Sequence, residues 1–474
     1  MTDTEEFRTL GHELVDWIAD YRERIADYPV MSRVRPGEVA AKLPAEPPRQ
    51  GSDLAGIVAD LDRIVMPGIT HWNHPGFLAY FPSNSDLSSV LADLVSSGLG
   101  VQGMSWLTSP AATEVEEVVM EWLRQMVGLP GTYSGVIEDT ASTSTFTALL
   151  CARERTSGFS QNRGGLQAEE TPLVVYASDQ AHSSIPKGAL LAGFGTANLH
   201  LIGTDDAHAL RLDLLEQAVE ADLAAGRRPC AVVAAVGTTA TTALDPVAGI
   251  ADLCERHGLW LHVDAALAGT AMICPEYRWM WEGAERADSI VFNPHKWMGT
   301  GFDLSAYYVR DPEHLVRVMS TDPSYLRTAH DDVVRNLRDW GIPLGRRFRA
   351  LKLWFLLREH GVEGLQARIR RDVASAAWLA EQVEAAPEWE LLAPAPLQTV
   401  CLRHVPPALA GDAEALAAHN AACVERINAD GRFYYGTSVL KGTLIQRVSV
   451  GAQPTERDDV ARFWELLQET AAAV

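Results

Sequence analysis

A lysine in Asn293-Pro294-His295-Lys296-Trp297 and an aspartate in Leu261-His262-Val263-Asp264 are the residues whose types and spacing point first to chemistry. Each follows a short apolar run: Trp260, Leu261 and Val263 beside Asp264, and Ser289 to Phe292 before Asn293. Two buried strands that each deliver a polar residue at one end can bring an amine and a carboxylate to one cleft. An amine with no acidic neighbour can form a Schiff base with an aldehyde. A carboxylate can keep a pyridine nitrogen protonated, so that the ring accepts electrons. Pyridoxal phosphate needs that pair. The spacing alone leaves a plainer alternative open, an exposed helix-cap lysine and an ordinary strand-end aspartate.

Other stretches add to the pair. The segment Gly135 to Thr145 reads as a small, hydroxyl-rich turn entering a helix at Phe146, with free N–H groups of the kind a phosphate requires. It lacks the glycine and lysine spacing of a nucleotide P-loop. Residues 230–239 read as a buried strand, and the GTTATTALD stretch lacks a dinucleotide fingerprint, which disfavours NAD. Residues 71–84, HWNHPGFLAYFPSN, combine aromatics with turn residues and suit the lining of a cleft better than an exposed loop. His71 and His74 are followed by Pro75 with no acidic ligand nearby, so no metal is expected. Residues 319–345, which include Tyr325, Arg327 and His330, have the composition of a flap over a cleft; a loop that only connects elements is the alternative.

The elements that must position these residues follow from periodicity. Helical spacing predicts helices over 5–28, 53–65, 86–98 and 113–127. From residue 171 short branched apolar runs alternate with helices: strands at 173–178, 230–239, 260–264, 289–292 and 306–311, and helices from about 184, over 210–225 and over 246–257. That alternation predicts an α/β fold with a mostly parallel sheet, covered on both faces, and active-site residues at the strands' carboxyl ends. Two helices, 347–359 and 362–385, a proline-rich break at 394–407, a helix at 411–428 and a strand at 444–450 predict a smaller C-terminal α/β domain. The N-terminal helices cannot bury their apolar faces alone, so they are expected to pack on the rest of the chain or on a partner subunit, with self-association the favoured reading.

Composition sets limits. With 40 basic and 62 acidic residues among 474, the formal charge is −22, which disfavours nonspecific binding to nucleic acid or an anionic membrane. Six cysteines without a C-x-x-C pattern suit a reducing cytoplasm. The first 25 residues lack the ordered sections of a secretion signal, and the longest apolar runs are only strand length, so no membrane span is expected.

The assembled motifs HPGFLAYFPS, SPAATEVE, SDQAHSS, GTT, WLHVDAALAG, FNPHKW, DPSYL and IPLGRRFRALKLWF resemble, in order and over nearly the whole chain, the aromatic-L-amino-acid decarboxylase family of group II pyridoxal phosphate decarboxylases. The resemblance implies fold type I, a homodimer with active sites at the subunit interface, and an N-terminal dimerisation segment (1–85), a large cofactor domain (86–350) and a small domain (351–474). It makes Lys296 the Schiff-base lysine, Asp264 the partner of the pyridinium nitrogen and His182 the imidazole stacked on the ring. It places Ala266 on the opposite face, Ala141, Ser142 and Asn293 at the phosphate and Thr239 near the ring, with His295 as a support for Lys296. Tyr325 matches a flap tyrosine that supports protonation at Cα, where a phenylalanine accompanies aldehyde-forming members. Trp72, Phe77, Tyr80, Phe81 and Pro82 would form an aromatic slot. Gly345 matches a position compatible with indole substrates. Gln102, Met104 and Ser83 depart from the animal pattern, and the first two are expected to reach the neighbouring subunit's pocket. The implied reaction is decarboxylation of tryptophan, phenylalanine, tyrosine or dopa to an amine. Histidine decarboxylation, aldehyde formation and a noncatalytic cofactor-binding scaffold are the alternatives.

Overall fold

A computed structural model describes residues 3–321, 330 and 333–474. Tyr325 and Arg327 lie outside the described residues. The chain opens with α1 (Thr4–Glu23), whose first turn is capped by the Asp3 carboxylate, and α2 (Leu54–Asp60), capped by Asp53. The pattern expected to carry the second helix to 65 continues as a wider five-residue turn, Leu61–Val65, before Pro67. Next come α3 (Leu87–Leu99), begun by Asp86, and α4 (Pro110–Val127). α4 starts three residues earlier than expected, because the Ser109 hydroxyl accepts the Ala112 N–H and Pro110 needs no donor in the first turn.

The large sheet is built from β1 (Ser134–Glu138), β2 (Leu173–Ser178), β3 (Leu199–Ile202), β4 (Arg228–Ala235), β5 (Trp260–Asp264), β6 (Ser289–Phe292) and β7 (Ser305–Val309), in the order β1-β7-β6-β5-β4-β2-β3. Only β7 runs against its neighbours, so the sheet is mostly parallel as predicted. Two readings need correction. Ser134–Glu138 pairs with β7 as a strand, so the turn before the helix is confined to Asp139 and Thr140. The strand predicted over 230–239 ends at Ala235, where Gly237 takes a positive φ of 84° and turns the chain back. The strand Leu199–Ile202 is not among the predicted elements; it lies at the sheet edge and is less buried than the central strands.

Side chains alternate between two cores. Tyr176, Val232, Leu261, Val263 and Ile290 face the side covered by α4, α8 (Val247–His257) and the start of α10 (Ala350–Ala385). Val175, Val233, Trp260 and Val291 face α5 (Ala141–Ser157), α6 (Ser184–Leu191) and α9 (Pro312–Met319). α7 (Leu212–Ala224) also packs on β4. This burial on both faces explains the near-continuous apolar strands.

α10 has non-helical backbone at Gly361 (φ 62°, ψ 177°), in agreement with the two-helix reading. Leu351 to Ile369 join the first of these cores, whereas Ala376 to Val383 join a third one. That third core lies under a four-stranded antiparallel sheet of β8 (Trp389–Leu391), β9 (Thr399–His404), β10 (Gly436–Leu440) and β11 (Thr443–Ser449). α11 (Ala413–Asp430) and α12 (Arg457–Ala473) complete it. β9 corrects the proline-rich break expected over 394–407: the prolines bracket a strand whose interior is apolar. The 71–84 segment joins this unit, since Leu78 donates to the Tyr434 carbonyl and accepts from the Ser449 N–H. No helix among the described residues is long and apolar enough to cross a membrane.

Candidate active site

The carboxyl ends of β1, β2, β4, β5 and β6 open on one edge of the large sheet, as the parallel topology requires. A cavity of about 220 Å³ lies there, lined by Phe81, Thr140, Ala141, Ser142, His182, Thr239, Asp264, Ala266, Asn293, His295 and Lys296, together with Ala235, Gly237, Thr238 and Phe302. All the residues expected to hold the cofactor therefore meet in one place.

Asp264 ends β5 in register with Ala235 and Val291. Its side chain is buried and accepts the Ala266 N–H at 3.1 Å. Two residues earlier on the same strand face, His262 is held between Ser289 Oγ at 2.9 Å and Thr145 Oγ1 at 3.3 Å. Burial lowers the His262 pKa to about 4, with Asp264 opposing that shift, so a neutral imidazole stands behind the carboxylate. The i, i+2 spacing of His262 and Asp264 was a signal available in the sequence.

Lys296 sits in a five-residue turn, Pro294–Met298, that follows β6. Its N–H donates to the Asn293 carbonyl at 2.9 Å, and its ammonium lies 5.3 Å from the centre of the Phe81 ring. Desolvation holds the amine below its ordinary pKa; Asp264 opposes this and Arg447 adds to it. The neutral, nucleophilic form is therefore favoured relative to a lysine in water. His295 is buried, and its Nδ1 accepts the Leu304 N–H at 3.0 Å. Burial and the Lys296 charge push its pKa to about 3, consistent with a neutral support for the turn.

His182 follows β2 and is solvent-accessible. Its Nδ1 accepts the Ser184 N–H at 3.1 Å, which leaves the proton of the neutral ring on Nε2. Its pKa is lowered, first by desolvation and then by Lys296, against the pull of Asp264. At the start of α5 the Thr140 side chain makes no capping bond, which leaves the first-turn N–H groups of Ala141 and Ser142 facing the cavity at the positive end of a 17-residue helix. Asn293 Oδ1 is buried without a hydrogen-bond partner. An amine of lowered pKa, a buried carboxylate and orphan helix donors fit pyridoxal phosphate.

The substrate slot is only partly assembled. Phe81 alone among the predicted side-chain residues lines this cavity. Trp72 and Tyr80 stack outside it at 5.5 Å, with Phe77 buried behind Trp72 at 4.5 Å, because Tyr80 takes a left-handed φ of 51° and turns its ring out toward Tyr434. Pro82 is buried against Gly451, and Ser83 is half-buried. Gln102, Met104 and Gly345 cluster elsewhere: Gln102 Oε1 accepts the Arg346 N–H at 2.6 Å, and the Met104 carbonyl accepts the Arg338 N–H at 2.8 Å. Sequence reasoning missed Thr238, Phe302 and Arg447. Arg447 is a buried cation in the largely buried strand β11, tied to the Thr239, Ala240 and Tyr80 carbonyls and 4.9 Å from the Phe81 ring centre. A lone arginine within LIQRVSV was its signal.

The model of the pyridoxal-dependent decarboxylase conserved domain matches residues 36–405. Phenylacetaldehyde synthase of Arabidopsis thaliana is 39% identical over 480 residues, covering 99% of this chain and 96% of that protein. Aromatic-L-amino-acid decarboxylase of Bos taurus is 40% identical over 485 residues, covering 100% and 97%. The crystal structure of Oryza sativa TDC with PLP and tryptamine superposes with a TM-score of 0.96 at 38% identity, over 99% of this chain and 98% of that one. With the cavity built as fold type I requires, the chain belongs to the aromatic-L-amino-acid decarboxylase family of group II decarboxylases, whose cofactor is pyridoxal 5′-phosphate.

Proposed function

We propose that the chain converts an aromatic L-amino acid, among tryptophan, phenylalanine, tyrosine and dopa, to the corresponding arylalkylamine and CO2. The observation that carries this reading is the convergence of Lys296, Asp264, His182 and the α5 N-terminus in one cavity beside the Phe81 ring. Lys296 would hold the cofactor aldehyde, Asp264 its ring nitrogen, His182 and Ala266 its two faces, and Thr239 would lie near the ring. Ala141, Ser142 and Asn293 would hold its phosphate. Bound pyridoxal phosphate supplies an electron sink for the pair left behind as CO2 departs. The buried carboxylate of Asp264 would stabilise positive charge at the ring nitrogen. Lys296, whose pKa is held down by burial, would present a neutral amine where the cofactor aldehyde is held. Tyr325 is assigned the proton at Cα.

A second reading is an aldehyde-forming activity, favoured by the 39% identity to a protein named phenylacetaldehyde synthase. The presence of tyrosine at 325 supports the amine product instead. A panel of aromatic amino acids and histidine with added pyridoxal phosphate, followed for CO2, amine, aldehyde and peroxide together, separates the readings. Equal CO2 and amine supports decarboxylation. Aldehyde with peroxide supports the second reading, and cofactor absorbance without turnover supports a scaffold. Tyr325→Phe is expected to lose most amine formation and gain aldehyde; undiminished amine would remove the tyrosine from this role.

We also propose a cytoplasmic homodimer, with domains near 1–85, 86–350 and 351–474 and with Gln102 and Met104 reaching the neighbouring subunit's pocket. Exposed Phe7 on α1 and Leu87, Leu91, Leu94 and Leu99 on α3 support the association, and six buried cysteines without a disulfide support the compartment.

A further inference from the structure

Lys296 belongs to a turn too short to satisfy its own carbonyls, and each of the last three is received by a side chain from elsewhere. The Trp297 and Met298 carbonyls accept from the buried Arg368 guanidinium. The Lys296 carbonyl accepts from Asn84 Nδ2 at 3.1 Å. Asn84 is 1% exposed, and its second amide proton goes to the Gly451 carbonyl at 2.8 Å. Its Oδ1 accepts the Gln453 N–H at 2.7 Å. One amide thus links the lysine's backbone to residues 451–453, which follow β11, and does so from the segment whose Phe81 ring faces the Lys296 amine.

The orientation of that amide follows from its partners. Two carbonyls face the nitrogen and one N–H faces the oxygen, so a flipped amide would oppose oxygen to oxygen and N–H to N–H. A carboxylate of the same shape would meet the same conflict at two carbonyls. A lysine or arginine could satisfy those carbonyls, but its charge would sit beside an amine whose pKa is already lowered. A neutral amide donor is the group that holds the Lys296 carbonyl without adding a cation.

We propose that Asn84 is a positioning residue for Lys296, fixing the stretch of backbone that carries its amine throughout turnover. The inference rests on Lys296 being the lysine that holds the cofactor. Removal of the amide frees the Lys296 carbonyl and uncouples the turn from the 451–453 wall, so the amine samples positions away from its reacting geometry. Placement enters the rate more strongly than it enters substrate binding.

The test uses Asn84→Ala, Asn84→Asp and Asn84→Ser in the full chain loaded with pyridoxal phosphate. Four quantities are measured: kcat and KM per loaded site, the pH midpoint of the cofactor's visible absorption, the rate at which borohydride fixes the cofactor to Lys296, and thermal stability without cofactor. Asn84→Ala and Asn84→Asp should lower kcat about tenfold, the equivalent of about 1.4 kcal/mol, with KM within about twofold of wild type. They should also move the spectral midpoint and the fixation rate. Asn84→Ser, which keeps one donor, should fall between them and wild type; it also serves if the larger changes prevent folding. Variants that lose only thermal stability, with kcat, spectral midpoint and fixation rate unchanged, overturn the proposal. Fixation of the wild-type chain at a different lysine instead overturns the assignment of Lys296, and this inference with it.

Discussion

Around Lys296 the side chains arrive from strand ends and a helix start, whereas residues 72–82 arrive from an irregular segment pinned to the C-terminal sheet. The first group is fixed by β-ladder register: Asp264 lies between Ala235 and Val291, and Asn293 continues β6 by one residue. The second is fixed by aromatic contacts and a left-handed residue at Tyr80, and its outer rings are exposed. A ladder tolerates no one-residue slip without turning every side chain over, so chemistry is placed on it with little freedom. A loop wall can change composition at small cost to the fold, which is where substrate choice can vary.

The difference can be broken or sharpened by substitution. Asp264→Asn should retain the fold and lower kcat by about 10²–10³, because one preorganised charge is lost from an enclosed site; a steady-state assay of amine release measures it, and a decrease below about threefold would remove Asp264 from the chemistry. Phe81→Leu should raise KM for an aromatic substrate by about tenfold, whereas Trp72→Leu should change it by less than about twofold. Equal effects would mean that the stacked outer rings turn into the cavity when substrate is bound. Gln102→Ala should alter the ranking of tryptophan, tyrosine and dopa by about two- to fivefold in kcat/KM while leaving cofactor binding intact. An unchanged ranking would separate Gln102 from the substrate pocket.

The smallest effect on turnover is expected at Glu138, the last residue of β1. Burial pushes its carboxyl pKa up to about 8, with Asp139 and Glu116 adding to the shift and Arg346 opposing it; one carboxyl oxygen has no partner. Its folded pKa lies above its ordinary value of 4.5, so the native chain holds a proton that the unfolded chain releases between that value and about 8. The stabilisation is complete below the lower value and is lost as pH rises through the upper one. Glu138→Gln should therefore gain thermal stability relative to wild type between pH 5 and pH 8.5. A parallel pH profile for the two proteins would place the folded pKa of Glu138 near its ordinary value.

Much of the large unit was legible because its signals are local. Apolar runs ending in Asp264 and Asn293 identify both the strands and the residues delivered by them, and Gly258 marks a helix end. Composition misread β1, since Gly135 and Glu138 look like turn residues; Gly135 serves instead where a side chain would strike Tyr308 and Met120. β9 was hidden by flanking prolines and β3 by its exposed edge position. Within the site, the residues on strand ends were readable from sequence. Arg447 and Asn84 were not, because their roles depend on contacts with carbonyls hundreds of positions away, at Tyr80 and Thr239 for one and at Lys296 and Gly451 for the other. The inward turn of Phe81 and outward turn of Tyr80 likewise depend on backbone conformation that alternation alone does not specify.

The most direct test of the central claim is borohydride reduction of the cofactor-loaded chain, followed by peptide mapping by mass spectrometry. The account predicts a single phosphopyridoxyl group on the peptide carrying Lys296, with its loss and the loss of CO2 release together in Lys296→Ala. A label on another lysine, or sustained CO2 release by Lys296→Ala, would contradict it.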